Sequence, residues 1–411
     1  MTTSPKTTIR NKTMNSSTTK GSRNYYGEYS LKQWIKFILT KEIVLPPYQR
    51  VFIWTEEDVK DLINSLQNGL FVPPIIIGNY GGTTNYILDG QQRLSAILIA
   101  YIGLFPNKEN FQSSDPVYKD TANDNDDQKD ENEDVPPLEW KFSYFTKEGW
   151  NKRDILRKID KSKYKILDLK LSDDFWKGSY IGFSLIIPKS DKKTEQQKLY
   201  TSVFRNINIK GRSLSQIESR KSLYFQRNGF NKWFSPPFAY DITINNAPID
   251  FVRYLSLLSQ YKKDDNTRGL AQKYKTKMEQ YYESYILAEV NNEDESIFSR
   301  LLGSKNCNRS RYDKLKACIE NKDFPKTFSS IIDADIYLFG LIYFTIAEGK
   351  VVSIIGDLRQ KLEGKIDELK KDKTHIKSPS NLSYLRQRVQ ASIDIYRCLL
   401  TNQTNKSNNE A

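Results

Sequence analysis

Histidine is almost missing from this chain, with His375 the one copy in 411 residues. A lone imidazole cannot supply both a general base and a set of metal ligands, so histidine-dependent HNH nuclease chemistry and Ser-His-Asp or Cys-His nucleophiles are not expected. The flanking Lys373-Thr374 and Ile376-Lys377 read as an exposed basic loop. Cysteine is scarce too: Cys307, Cys318 and Cys398 have no metal-like spacing, which argues against structural zinc and for a reduced, cytoplasmic setting. No apolar run approaches the roughly 18 residues a membrane span needs, so no membrane partner is expected. Met1 to Ser22 lacks the apolar stretch of a secretory signal. No GxxxxGK[ST] phosphate loop occurs.

Apolar material is sufficient, with 38% hydrophobic and 12% aromatic residues. At this length two domains are expected. The formal charge is +13, yet Asp120 to Asp134 holds eight acidic residues against Lys129 and so contributes −7, leaving +20 for the rest. That balance suits a nucleic-acid partner, nucleotide phosphates, or lysines spread over solvated faces.

Composition divides the chain. Residues 1–22 and 402–411 read as disordered tails and 107–137 as an acidic flexible insertion. Residues 23–235 read as an α+β unit and 236–401 as an all-helical domain. Within the first, Thr55 and Asp58 form a capping box for a helix whose stripe is Val59, Leu62, Ile63 and Leu66, ending at Gly69. Strands are expected at Lys165 to Leu171 and Ile181 to Ile187, and a helix from Glu195 to Ile207. Ser215 and Glu218 make a second capping box. Helical periodicity then covers Phe251 to Tyr261, Leu270 to Val290, Tyr312 to Glu320, Ile331 to Glu348, Val351 to Lys371 and Leu382 to Leu400.

Asp89-Gly90-Gln91-Gln92-Arg93 stands where a strand pattern, Tyr86-Ile87-Leu88, gives way to a helix pattern, Leu94, Ile97, Leu98 and Tyr101. A helix start offers backbone N–H groups and the positive dipole end to an anion. Arg93 adds a permanent charge, Gln91 and Gln92 add neutral hydrogen bonds, and Asp89 can hold a metal ion or orient a water. Tyr48-Gln49-Arg50 with Trp54 lies upstream; Phe204, Asn208, Gly211, Leu214, Ser215 and Glu218 lie downstream.

In order and spacing these three elements resemble the N-terminal domain family of GmrSD-type restriction endonucleases, over roughly Tyr29 to Asn228. That family is similar to the ParB/sulfiredoxin nucleotide-binding fold, in which an Asn ten residues before a Glu helps hold phosphates and metal. Asn208, Leu214 and Glu218 have that spacing, but the acidic neighbour that ParB places before its Asn is Ile207 here.

The resemblance implies NTP binding with Mg²⁺, and NTP hydrolysis, in DNA restriction or phage defence. On that reading Asp89, Gln91, Arg93 and Gln49 are the catalytic candidates. Tyr48, Arg50, Gly90, Gln92, Asn208, Lys210 and Glu218 are the nucleotide-binding candidates, and Asp89 is the metal ligand. The implied partners are an NTP, DNA, a separate nuclease subunit and a second copy in a homodimer. The runner-up is a nucleotide-gated DNA-binding module with little hydrolysis; a non-catalytic scaffold is the third reading. Several roles stay open at this stage. Tyr48 and Trp54 also suit core positions, Asp89 a helix N-cap, Arg50 an ion pair with Glu57 or Glu218, and Glu218 a cap.

Overall fold

Alternation of short apolar runs with amphipathic ones yields, in the first half, an ordered series of strands and helices. A computed structural model describes residues 23–49, 52–79, 84–111, 140–208, 216–274, 277–293, 296–354 and 356–409. The first half runs β1 (Arg23–Ser30), α1 (Leu31–Leu39), β2 (Ile43–Val44), α2 (Glu56–Gln67), β3 (Ile75–Asn79), β4 (Asn85–Asp89), α3 (Gln91–Ile102) and β5 (Leu104–Pro106). It continues with α4 (Ser143–Glu148), α5 (Lys152–Lys158), β6 (Tyr164–Ile166), α6 (Asp173–Gly178), β7 (Tyr180–Ile187), α7 (Lys193–Asn208) and α8 (Gln216–Leu223). The acidic insertion and the N-terminal 22 residues fall mostly or wholly outside the described residues.

Five strands form a mixed sheet in the order β1-β7-β3-β4-β2. Inward-facing Ile75, Ile77 and Ile87 meet Leu31, Trp34 and Ile38 of α1, Val59 and Leu62 of α2, and Leu94 and Ile97 of α3 in one buried cluster. The α2 capping box forms as its sequence requires, Thr55 and Asp58 each accepting from the other's backbone N–H. Tyr48, Leu88, Tyr200 and Phe204 are also buried but lie outside both large hydrophobic clusters of the molecule. They belong with α7, which docks through Tyr200. The Tyr200 hydroxyl accepts from Asn79 N at 2.9 Å and donates to Asn79 O at 2.6 Å. Its ring occupies the space a side chain at position 78 would take, a Cβ on Gly78 falling 2.6 Å from it.

The second half is helical: α9 (Phe230–Phe234), α10 (Phe251–Asp264), α11 (Met278–Asn291), α12 (Lys305–Glu320), α13 (Ile331–Ile342), α14 (Gly356–Lys370), α15 (Lys373–Lys377) and α16 (Leu382–Asn409). A three-stranded sheet interleaves with them, β8 (Thr243–Ile244), β9 (Ala247–Pro248) and β10 (Thr327–Phe328), in the order β10-β8-β9. Every residue of α13 is buried. Its Asp335 accepts from Arg253 of α10 at 2.6 and 2.9 Å and from Arg388 of α16 at 2.8 Å, which ties three helices through one carboxylate.

The class is α+β with a helical C-terminal part, as the sequence implies. Several boundaries differ. The expected strand Lys165 to Leu171 shrinks to β6, and Ile331 to Glu348 divides into α13 and a π-helical turn at Tyr343–Ala347. In place of a helix from Leu270, a 3-10 turn at Gln272–Tyr274 precedes α11. The helix α16 continues to Asn409, where a tail from residue 402 is expected. His375 overturns its sequence reading outright. It is buried in α15, stacked on Tyr384 with centroids 4.3 Å apart and 2.9 Å from Arg388 Nη1. Burial, with the Arg388 charge, lowers its pKa to about 4. Among the described residues no helix is long and apolar enough to cross a membrane.

Candidate functional site

Gly90 is the hinge on which the DGQQR turn depends. Its φ of +92° lies in the left-handed region, and a Cβ there would fall 2.4 Å from Ile75 Cδ1 and 3.0 Å from Arg93 Nη2. Only glycine meets both conditions. Gly90 is the N-cap of α3 and provides no side-chain cap to the helix's first turn. Opposite, the β3–β4 register slips between Ile76 and Ile77, so that Ile76 pairs with Asp89 while Ile77 pairs with Ile87. Irregular pairing of this kind re-aims a side chain at a strand end.

Asp89 does not cap the helix. It pairs instead with Arg93 one turn on, Nη2 donating to Oδ2 at 2.8 Å, and the same nitrogen reaches Pro74 O at 3.3 Å. The side chains keep 30% and 15% of their exposure, so the pair lies at the surface of the turn without being fully solvated. Arg93 Nε, by contrast, is buried and has no hydrogen-bond partner among the described residues. A buried guanidinium N–H without an acceptor costs free energy until an acceptor arrives.

The other candidates divide between the wall of the turn and its support. Gln49 is buried, and its amide donates to Ile87 O at 2.8 Å and Leu88 O at 3.2 Å, the carbonyls that lead into Asp89. Gln92 is buried and accepts from Ile53 N at 2.9 Å, which ties the segment after Arg50 to α3. Both therefore position backbone, and Gln91 is buried in the first turn of α3. Tyr48 is a buried aromatic, edge-on to Phe204 at 5.3 Å and tilted on Phe225 at 5.8 Å. Trp54 is partly buried against the α1–α3 core. Tyr48 is thus buried outside the two large clusters, and Trp54 packs at the edge of the first.

Arg50 and Lys210 lie outside the described residues, as do Gly211, Leu214 and Ser215. Asn208 is the last residue of α7 and Glu218 belongs to the first turn of α8, but their side chains are likewise outside the description. The helix α7 packs on the sheet through Tyr200, and its Phe204 lies against Tyr48. Pro74 is a contact that the sequence does not reveal: two consecutive prolines restrict the backbone there, but residue types do not specify a carbonyl's partner. Among the described residues no group of three or more His, Cys, Asp or Glu side chains could hold a metal. Two cavities lie elsewhere, a shallow one on α12 around Arg309 and Asp313 and a small one around Arg220 and Asp250.

Comparison with known families places this geometry. Residues 31–225 match the family described as the GmrSD restriction endonuclease, N-terminal domain. The match opens at the first residue of α1 and closes in the 3-10 turn after α8, where the helical half begins. It covers all three sequence elements and associates this stretch with restriction systems. Neither a curated protein nor a solved structure matches the chain.

Proposed function

We propose that the Asp89–Arg93 turn holds the phosphates of a nucleoside triphosphate, and that the chain is the NTP-dependent component of a DNA restriction or phage-defence system. The buried Arg93 Nε, which has no acceptor among the described residues, set at a helix start without a side-chain cap, carries this reading. A phosphate oxygen would supply the acceptor, and the α3 dipole favours the same charge. Hydrolysis of such a substrate depends chiefly on positioning and on neutralising phosphoryl charge. Arg93 provides the charge; Gly90 brings backbone to the ligand without side-chain obstruction; Gln91 orients the attacking water.

Mg²⁺ fits this donor set, because it is commonly held by one or two carboxylates together with substrate phosphates and water. Asp89 supplies the carboxylate. The ion would neutralise phosphate charge, and Arg93, now shared with Asp89, would turn toward the substrate. His375, buried against Tyr384 and Arg388, takes no part in DNA cleavage, which we assign to a nuclease partner subunit.

Thermal melts with each of the four NTPs, with and without Mg²⁺, test the proposal. Ligand at ~100 times its Kd adds about 2.7 kcal/mol of stability, which should raise the melting temperature by a few degrees. Arg93→Ala should abolish that rise and the accompanying phosphate release. If no NTP shifts the wild-type melt, the nucleotide reading is wrong.

A further inference from the structure

The run from Lys141 to Lys170 holds ten lysines and arginines against four acidic residues, net +6 of the chain's +13 in thirty residues. Most of these cations gather where α5 passes through the 3-10 turn at Lys161–Lys163 into β6. Lys152, Arg153, Arg157, Lys158, Lys161, Lys163 and Lys165 are all exposed. Two of them make exposed ion pairs, Arg157 with Asp154 and Lys163 with Asp160. Among the described residues Arg153, Lys158, Lys161 and Lys165 have no carboxylate partner.

A solvated lysine face would explain charge alone. It does not explain Trp150, which is 76% exposed at the entrance to α5, or Ile166, 83% exposed in β6. Tyr144 adds a partly exposed ring with Lys147 Nζ 5.4 Å from its centre. Phe111 meets both Tyr144 and the buried Tyr164 of β6, which joins α4 to the same surface. The helix α5 is seven residues long, about 10 Å at ~1.5 Å per residue, so Trp150 and the cations at its far end are within reach of a few nucleotides.

We infer that this face, formed by Trp150, α5, the Lys161–Lys163 turn and β6, binds single-stranded nucleic acid, the cations following the phosphates and Trp150 stacking on an unpaired base. An aromatic ring among unpartnered cations is the arrangement that holds single strands, because every base offers a face to stack while the backbone charge is neutralised alongside. An acidic protein or an anionic membrane would also use the cations, and competition separates those occupants from a single strand. The site is distinct from the Asp89–Arg93 turn and does not depend on it: Lys152 Nζ donates to Tyr101 O, at the opposite end of α3. Eight residues of helix, about 12 Å, separate Arg93 from Tyr101.

The test is fluorescence anisotropy with the full chain and a labelled single strand of about twenty nucleotides, its duplex, and polyglutamate or phosphatidylserine vesicles as competitors. Arg153→Glu with Lys158→Glu and Lys161→Glu should weaken single-strand binding by about tenfold or more and flatten its salt dependence by about two counterions. Trp150→Ala should cost the single strand about fivefold or more and leave the weaker duplex binding unchanged, while Trp150→Phe should retain affinity. Melting temperatures equal to wild type establish that the variants fold; if the triple variant melts early, Arg153→Gln with Lys158→Gln takes its place. The inference is overturned if the charge variants bind DNA like wild type, if Trp150→Ala weakens strand and duplex equally or neither, or if polyglutamate or vesicles compete as well as DNA at equal charge. Because no nucleotide is added, failure here leaves the Arg93 melts untouched, and the reverse holds as well.

Discussion

Glu289 of α11 is a carboxyl group in apolar surroundings whose Oε1 accepts from the Leu301 and Leu302 N–H groups at 2.9 and 3.3 Å and from the Tyr285 hydroxyl at 3.3 Å. Burial pushes its pKa up to about 7 despite those hydrogen bonds. The folded chain thus holds a proton that the unfolded chain releases near 4.5. Its stabilising effect is complete below that value and is lost as pH rises through about 7. Glu289→Gln keeps an acceptor for both N–H groups and carries no charge. It should match wild type near pH ~4 and exceed it above pH ~7.5 by on the order of 2 kcal/mol, measured by urea unfolding at the two values. A variant with the same pH profile as wild type would show that the carboxyl titrates normally. Asp335 shows the opposite outcome of burial: Arg253 and Arg388 outweigh desolvation and hold it below the usual carboxylate range.

At the scale of elements, the approach of α13 to α16 depends on Gly340. A Cβ there would fall 2.2 Å from Tyr396 Cδ2 and 2.8 Å from Ser392 O, and Gly340 N donates to Ser392 Oγ at 2.8 Å. Gly340→Ala should therefore force the helices apart and cost about 2–3 kcal/mol, read as a lower denaturation midpoint with an unchanged slope.

Elements whose cause is local were legible in the sequence. The helix α2 announced itself through Thr55, Asp58 and its apolar stripe, and α3 through the spacing of Leu94, Ile97, Leu98 and Tyr101. Strand β1 was not legible, because as an edge strand it exposes most of both faces and has no apolar alternation to show. The strands β8, β9 and β10, two residues each, are too short for any period. His375 misled because its burial comes from Tyr384 and Arg388 of α16, while lysines stand two residues away on either side in the sequence. At the turn, the Asp89–Arg93 ion pair was not legible, because Asp89 ends a strand and the i, i+4 rule for helices does not reach it. The Pro74 carbonyl and the register slip at Ile76 are products of strand pairing, which residue types alone do not specify.

In the whole molecule the buried hydrophobic residues form two large clusters, one spanning Leu31 to Ile181 and the other Leu223 to Tyr396. The layer under α7, the contact of Tyr48 with Phe225 and the Arg205–Glu283 ion pair at 2.7 Å join the halves. Arg220 of α8 adds ion pairs with Asp250 at 2.7 Å and Glu279 at 3.1 Å, so the links between the halves are largely polar contacts outside either hydrophobic cluster. Calorimetry should accordingly resolve two transitions, with Gly90→Ala lowering only one and Gly340→Ala only the other. A single transition moved by both substitutions would mean that the cores unfold as one unit.

Considered as a target for mutation, α3 is nearly closed. Ten of its twelve residues are buried, and only Arg93 and Tyr101 reach solvent. Arg93 stands at the turn proposed to take phosphates, and Tyr101 underlies Lys152 at the basic face, its ring 5.4 Å from that ammonium. The helix therefore offers drift few neutral positions: ten sites are buried, and of the other two Tyr101 also packs edge-on to Trp176, which leaves Arg93 as the side chain least bound by packing.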